Sequence, residues 1–596
     1  MELLNLDGVI EKGVFEIPSY QRGYAWQKEQ LKDFWNDLEH VSKLGDKFHY
    51  MHSLTLRELE NEFESSAFEI IDGQQRLATS LILLGLLAKT TQNKDPKYSL
   101  INLEPILSYK YYGLSEAFRA ITEEEKDLEA FKTSFYAKNL IKAYAFFKEK
   151  ISDTPIETLE KMFDALIKKM LFSVVGLNDN RIDPFSSFET INNRGKDLST
   201  LELLKNRLHF VAHKICDEGD LENLQQEIND TYTRIYHDLR FFEDTHLGDF
   251  LKYFVAYYYG EKKDFKERLL NTAFDAHKKY DDLYDEYEKI NDLLLYLSYS
   301  SKVWYFLHTL DDEELRIEIT PKMCGLLDKM RRLNALSDNA FLPLLLSLLT
   351  IQLAVRSGSE RHYTTKELEG LLEYLERFGF LIYGVAGKNT AKNEWIELAF
   401  QAFRAYRSWK DRITIEDLPT LEKNFFKGEH SGLELLEESI HSKKNTEKWY
   451  RWGKALNYLL YEYELYHNPE TTLNFDGSIE SIEHILPQKP DQGYSAKEKS
   501  WAKNPHIVHA LGNLLLIPKN ANSSLSNKPF EEKRKAYLKG SYSEKEVAKN
   551  ASFGIVEIQK RSEKLLDFLI VRYRIAELVG ESAIKAFKNA LLKDIK

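Results

Sequence analysis

Between residues 200 and 470 the chain has few glycines or prolines, and its apolar and aromatic residues recur at helical spacing. Two examples are Asp292-Leu-Leu-Leu-Tyr-Leu and Phe341-Leu-Pro-Leu-Leu-Leu-Ser-Leu-Leu. Such a stretch buries its apolar stripes only by packing helix on helix. The chain is therefore read as α+β and predominantly helical, with this middle region a helical packing domain and linker. Its Tyr and Phe stripes are read as core, not as ligand platforms. The near miss to a phosphate-binding loop at Gly384-Val-Ala-Gly-Lys-Asn has two residues between its glycines where that loop has four, and is read as a plain loop.

The ends of the chain break the helical pattern. In the first 100 residues, Phe15-Glu-Ile-Pro18 closes a short extended segment. Leu31, Phe34, Trp35 and Leu38 then fall on one face of a helix starting near Lys28. Ala67-Phe-Glu-Ile-Ile71 reads as a strand running into an Asp72-Gly73 turn and an apolar helix from about Leu77 to Leu87. Residues 100–180 read as mostly helical, with a strand at Met170–Leu177. Near the other end, Ser481-Ile-Glu-His-Ile-Leu-Pro and Gly512-Asn-Leu-Leu-Leu-Ile-Pro read as two short strands around a polar loop. A helix-forming run follows at Lys528–Tyr537. With 596 residues and roughly 100–200 per domain, three domains are expected: 1–215, 216–439 and 440–596.

Charge is distributed unevenly. The net charge is −12, yet Lys497–Lys596 holds 20 Lys/Arg against 11 Asp/Glu. A basic segment in an acidic chain suits a polyanion such as nucleic acid. No run reaches the ~18 apolar residues of a membrane-spanning helix, and the acidic start lacks the basic region of a signal peptide. The expectation is a cytoplasmic protein with no membrane partner. Cys216 and Cys324, the only cysteines, make neither a Cys₄ zinc site nor a disulfide framework.

Two constellations carry chemistry. Hydrolysis of a phosphodiester needs a base to activate water and a cation to neutralise charge building on the phosphate, and a ββα hairpin can supply both. Glu483-His484 lies in Ile482-Glu-His-Ile-Leu-Pro-Gln488, Asn513 in Leu511-Gly-Asn-Leu-Leu-Leu-Ile-Pro518, and Asn522 nine residues further on. Strand neighbours point to opposite faces, so Glu483 and His484 cooperate only if the strand twists or ends there, and Pro487 is consistent with an ending. The second constellation comprises Ile17-Pro-Ser-Tyr-Gln-Arg-Gly-Tyr-Ala-Trp26, Ile71-Asp-Gly-Gln-Gln-Arg-Leu-Ala-Thr79 and Phe188-Glu-Thr-Ile-Asn-Asn-Arg-Gly-Lys-Asp-Leu-Ser199. A strand-to-helix turn presents helix N–H groups to a phosphate. Gln74 and Gln75 add donors there and Arg76 a forked cation. Asp72 could hold a metal or the attacking water, and Arg22 and Arg194 could close a basic ring. A local Asp72–Arg76 salt bridge is the plain alternative.

The C-terminal residues resemble the HNH (His-Me finger) pattern, and more specifically the nuclease domain of GmrSD-type, modification-dependent (type IV) restriction enzymes. The N-terminal clusters resemble the ParB/sulfiredoxin-like NTPase domain of the same proteins. The two resemblances cover about residues 1–215 and 440–596, in the family's order within one chain. The resemblance implies that His484 deprotonates water and that Glu483 and Asn522 hold Mg²⁺ or Mn²⁺. It also implies that Asn513 buttresses the finger and orients His484, and that Lys528 contacts DNA phosphate. At the N-terminus it implies NTP binding at Tyr20, Gln21, Arg22, Asp72, Gly73, Gln74, Gln75, Arg76, Asn193 and Arg194. The implied partners are modified phage DNA and a nucleoside triphosphate, and a homodimer would pair two single-strand cuts. Glu483 stands where many HNH enzymes have Asp, and Asn522 where others have His. The alternatives are an NTP-dependent DNA-binding module with a silent nuclease, and a non-specific HNH nuclease or RNase.

Overall fold

The structure, a computed structural model, describes residues 2–18, 21–59, 66–92, 95–99, 104–110, 113–122, 127–176, 199–261, 263–280, 282–311, 319–355, 363–408, 412–418, 432–442, 444–473, 480–490 and 492–595. The chain divides into two units, Met1–Tyr305 and Phe306–Lys596. Helices dominate both, and the one large sheet belongs to the first, as the pattern of periodicities implies.

The first unit is built on six strands: β1 (Glu2–Asn5), β2 (Val14–Ile17), β3 (His49–Leu59), β4 (Ala67–Asp72), β5 (Leu107–Tyr109) and β6 (Met170–Gly176). Their spatial order is β1-β6-β3-β4-β2-β5. Pairs β2–β4, β2–β5 and β3–β6 are parallel; β1–β6 and β3–β4 are antiparallel. Leu31, Phe34, Trp35 and Leu38 line the buried face of the helix Lys28–Ser42, as their spacing requires. The apolar helix after the turn starts earlier than its apolar run indicates. It spans Gln74–Thr90, because its first turn is the polar Gln-Gln-Arg, and every residue from Leu77 to Ala88 is buried. A helix apolar on all sides needs cover on all sides. The helices Phe135–Ser152 and Ile156–Lys169 pack against it.

In the second unit the apolar helix Leu342–Ala354 packs against Lys392–Arg407. The stretch read as a loop at Gly384 is irregular from Ala386 onward, with Gly387 at φ +60°; its first two residues, Gly384 and Val385, end the π-helical turn Gly379–Val385. Farther along, β7 (Glu480–His484) and β8 (Leu514–Pro518) pair antiparallel, Glu480 opposite Pro518 and His484 opposite Leu514. The helix Lys519–Leu525 follows β8 directly, and the helix expected at Lys528–Tyr537 is Phe530–Tyr537. The helix Ile555–Arg572 packs on the 3₁₀ turn Leu511–Asn513. Its end is held by a buried charge network. Arg572 bridges Glu376 and Glu462, each at 3.1 Å, while Lys329 reaches Glu462 at 2.7 Å.

The turn between β4 and its helix has a strict conformational requirement. Gly73 has φ +101°, and a Cβ there would stand 2.9 Å from Leu54 Cδ1 and 3.0 Å from Ser53 O. Gly73→Ala should therefore destabilise the first unit by about 1–3 kcal/mol, the usual cost of a disfavoured backbone region, read as a lowered unfolding midpoint. An unchanged midpoint would mean that the turn relaxes freely.

Candidate functional site

The second unit's hairpin places its polar residues with the help of one buried amide. Asn513, fully buried at the end of its turn, accepts a hydrogen bond from Leu486 N (2.8 Å) and donates to Leu486 O (2.9 Å) and Val508 O (2.7 Å). Its own carbonyl accepts from Ile485 N. Asn513 thus fixes the chain just beyond His484 and just before His509. Expected to orient His484 by hydrogen bonds, it bonds the backbone beyond the residue and not the ring. The turn is seated so closely that a Cβ on Gly512 would fall 2.0 Å from Ile558 O, so only glycine fits. Arg561 donates to Gly512 O (2.9 Å) and Leu514 O (2.7 Å) from behind.

His484 is buried at the end of β7. Gln488 Nε2 lies 3.3 Å from its Nδ1, and His509 Nδ1 lies 3.0 Å from its Nε2. An amide nitrogen can only donate, so Nδ1 accepts and the ring proton sits on Nε2, donated to His509. The Tyr450 ring is 5.0 Å from the His484 ring and 5.8 Å from that of His509. Burial, with His509 and Lys533 nearby, pushes the His484 pKa down to about 3. The ring is neutral, with a lone pair on Nδ1: the protonation state of a general base. His509, also lowered by burial, carries no motif signature beyond its place four residues before Asn513, and sequence reasoning missed it.

Glu483, the last residue but one of β7, bonds the backbone of His484 and a later helix. Its Oε1 accepts from Lys533 Nζ (2.5 Å) and Tyr537 OH (3.1 Å), both on the helix Phe530–Tyr537. Lys533, with no side-chain exposure, also donates to His484 O (2.8 Å) and Ile485 O (3.3 Å). Burial raises the Glu483 pKa and lowers that of Lys533, with their mutual attraction opposing both shifts. Asn522 sits on the helix Lys519–Leu525, where its Nδ2 donates to Ser481 Oγ (2.8 Å) and Ile482 O (3.2 Å). The structure thus engages Glu483 and Asn522 in separate bonds. Carboxylate and amide oxygens are the donors that Mg²⁺ and Mn²⁺ take. With its donors spent on β7, Asn522 has its Oδ1 left to accept. Glu483 Oε1 already carries Lys533 and Tyr537, so a hard cation held by these residues would have to compete with that ammonium. Among the described residues no group of three or more His, Cys, Asp or Glu forms a metal cluster. Lys528 is exposed, its carbonyl bonded by Tyr494 OH (2.5 Å), and it lines an open cleft of about 710 Å³ with Lys499 and Asn527.

In the first unit the motif residues hold one another. Gln21 Nε2 donates to Ile70 O (2.8 Å) and Ile71 O (3.2 Å), and Gln74 Nε2 to Arg22 O (3.1 Å). Gln75 donates to Gly23 O (3.0 Å) and accepts from Ala25 N (2.8 Å). Gln74 and Gln75, read from sequence as phosphate donors, stitch the 21–25 segment to the helix start. Arg76 pairs with Asp72 (2.9 Å) and donates to Ser53 O (2.7 Å), the local salt bridge weighed above, while Arg22 pairs with Glu202 (3.0 Å). Tyr20, Asn193 and Arg194 lie outside the described residues.

Residues 3–209 match the family model of the GmrSD restriction endonuclease N-terminal domain, and residues 436–568 that of the GmrSD restriction endonuclease C-terminal domain. The two matches occupy more than half of the chain. The chain belongs to the GmrSD restriction endonuclease family. It is thereby a restriction endonuclease with DNA as substrate, and the hairpin with His484 lies inside the GmrSD C-terminal match. No curated protein matches the chain. Among the described residues no helix is long and apolar enough to cross a membrane.

Removing one partner of a buried ion pair leaves the other charge uncompensated, at a cost of roughly 3–5 kcal/mol. Lys533→Met should lower the stability of the second unit by about that much in denaturant unfolding. Adding Glu483→Gln should recover more than half of the loss. Additive losses in the double variant would mean that the two groups do not act as a pair.

Proposed function

We propose that this GmrSD-family chain cuts modified phage DNA at a His-Me finger of the HNH type, with His484 as general base and with an NTP bound by the first unit stimulating the cut. The observation that supports the base assignment best is the neutral His484 ring, anchored through Nε2 and presenting its Nδ1 lone pair. Water placed at Nδ1, where the Gln488 amide now sits, gives its proton to that nitrogen as its oxygen attacks phosphorus. The P–O bond to the leaving nucleotide oxygen breaks, and that oxygen takes a proton from solvent. A Mg²⁺ or Mn²⁺ ion at Glu483 and Asn522 would supply charge neutralisation at the phosphate when bound. Lys528 and Lys499, in the cleft beside Pro490 and Pro529, would contact the phosphate backbone, making binding salt-dependent.

For the first unit, the reading rests on the N-terminus of the helix Gln74–Thr90 behind Gly73, with Arg76 in its first turn and Arg22, whose carbonyl accepts from the Gln74 amide, each held by a carboxylate. An entering polyphosphate would compete with Asp72 for Arg76. Tyr20, Asn193 and Arg194 belong to this proposal through the family resemblance alone. A homodimer would turn two single-strand cuts into a double-strand break.

The test compares phage DNA carrying modified cytosines with its unmodified counterpart. Each is incubated with Mg²⁺, with and without NTP, using wild type and His484→Ala. Cutting of the modified DNA alone, stimulated by NTP and lost in His484→Ala, is the expected result. Equal cutting of both DNAs would remove modification dependence, and unchanged cutting by His484→Ala would remove the assigned base. The pH profile has a defined sign. A base works deprotonated, and the His484 pKa is pushed down to about 3. The cleavage rate should therefore show no acid limb near the ordinary histidine value of about 6.5. A limb there that His484→Ala removes would show that the ring titrates normally.

A further inference from the structure

Both ring nitrogens of His484 are occupied, and one is held by a residue that neither motif includes. His509 Nδ1 stands 3.0 Å from His484 Nε2, with the ring centroids 5.1 Å apart at 77°. His509 is itself placed twice. Its backbone N–H bonds Pro505 O, capping the short helix Pro505–Val508, and Val508 O, just before it, accepts from the Asn513 amide. The amide that fixes the segment after His484 thus also fixes the segment carrying His509. Tyr450 closes the group, its ring lying 23° from the plane of His509 at 5.8 Å. With Gln488 donating to Nδ1, His509 must accept from Nε2–H, and this bond sets both the tautomer and the rotation of the His484 ring.

We propose that His509 is the positioning residue of the His484 base, acting through its Nδ1 as a hydrogen-bond acceptor. This rests on the reading of His484 as base. The role is that of a partner on the far nitrogen of a working imidazole, which decides which nitrogen is left to do the chemistry. On uptake of the water proton at Nδ1, His484 becomes an imidazolium and the bond to His509 becomes charge-assisted. His509 therefore holds the charged ring more tightly than the neutral one.

Two substitutions separate hydrogen bonding from packing. In His509→Asn, Oδ1 sits the same number of bonds from the backbone as the imidazole Nδ1, so the acceptor survives and the ring against Tyr450 is lost. In His509→Phe the ring survives and the acceptor is lost. With the full chain, on whichever phage DNA wild type cuts, His509→Phe should lower kcat about 10–100-fold, the range for loss of an orienting partner, with KM unchanged. His509→Asn should stay within a few-fold of wild type. In ¹⁵N-histidine-labelled full-length protein, the His484 signal, assigned by its loss in His484→Ala, should report the Nε2–H tautomer in wild type and His509→Asn and a mixture in His509→Phe. Wild-type kcat in His509→Phe, or equal losses in both variants, would overturn the proposal. The His484→Ala control keeps this separate from the base assignment: if that variant cuts as wild type does, the base reading fails; if it is dead while His509→Phe is fully active, only the positioning role fails.

Discussion

The arrangement at the hairpin depends on one side chain, the amide of Asn513. Its three hydrogen bonds all go to backbone, two to Leu486 and one to Val508. Each is worth about 1 kcal/mol net, but a fully buried amide left unmatched costs more than the bonds return, so the geometry is enforced from both directions. Through Leu486 it fixes where β7 ends, and through Val508 it fixes where His509 begins. The two imidazoles are 25 residues apart in sequence, and this amide sets their separation in space. Gly512 and Arg561 make the turn itself immovable, one by allowing backbone contact with the helix Ile555–Arg572, the other by binding the carbonyls on either side of Asn513.

The ion pair on β7 has a different task. A carboxylate one residue from a histidine would favour its protonated form if it were left bare. Here Lys533 neutralises Glu483 at 2.5 Å. Lys533 also donates to His484 O, and its charge is among the causes that depress the His484 pKa. Burial is the main cause that keeps the ring neutral; Lys533 adds to it while anchoring the strand end.

The parts of this molecule legible in its sequence are those set by period and by turn chemistry. The helix at Lys28 was readable from four apolar residues on one face, the Asp72-Gly73 turn from a backbone that only glycine adopts comfortably, and β8 from an apolar run ending at proline; β7 was placed by Pro487 but ends three residues before it, at His484. The helix Lys519–Leu525 was not readable. Its sequence, Lys-Asn-Ala-Asn-Ser-Ser-Leu, is rich in residues that disfavour helix interiors, and it forms because Leu525 is buried and Asn522 bonds β7. The Glu483–His484 pair was found as neighbours in sequence, but sequence could not say what each would meet. Lys533 and Tyr537 lie four residues apart on a helix, a spacing common to countless solvent-exposed pairs, and only the packing makes them partners of Glu483. His509 was invisible for the same reason: a lone histidine has no period and no motif, and its meaning lies wholly in the ring it touches.

The N-terminal motif shows the converse problem, in which conspicuous side chains prove to have local work. The side-chain amides of Gln21, Gln74 and Gln75 bind backbone groups of neighbouring segments, and Asp72 is matched by Arg76 and Ser53. A ligand arriving at this turn would therefore meet mainly backbone. The first N–H groups of a helix have no partners within it, and here the bonding within the helix begins with Leu77 N to Gly73 O. The N–H groups of the first turn, together with the positive end of the helix dipole, are what the turn offers to an anion. The glutamines hold the 21–25 segment against this turn. Arg76 is the motif side chain whose charge an anion could draw away from its present partner, because its pair with Asp72 is only partly shielded from solvent, and a polyphosphate carries more charge than a single carboxylate.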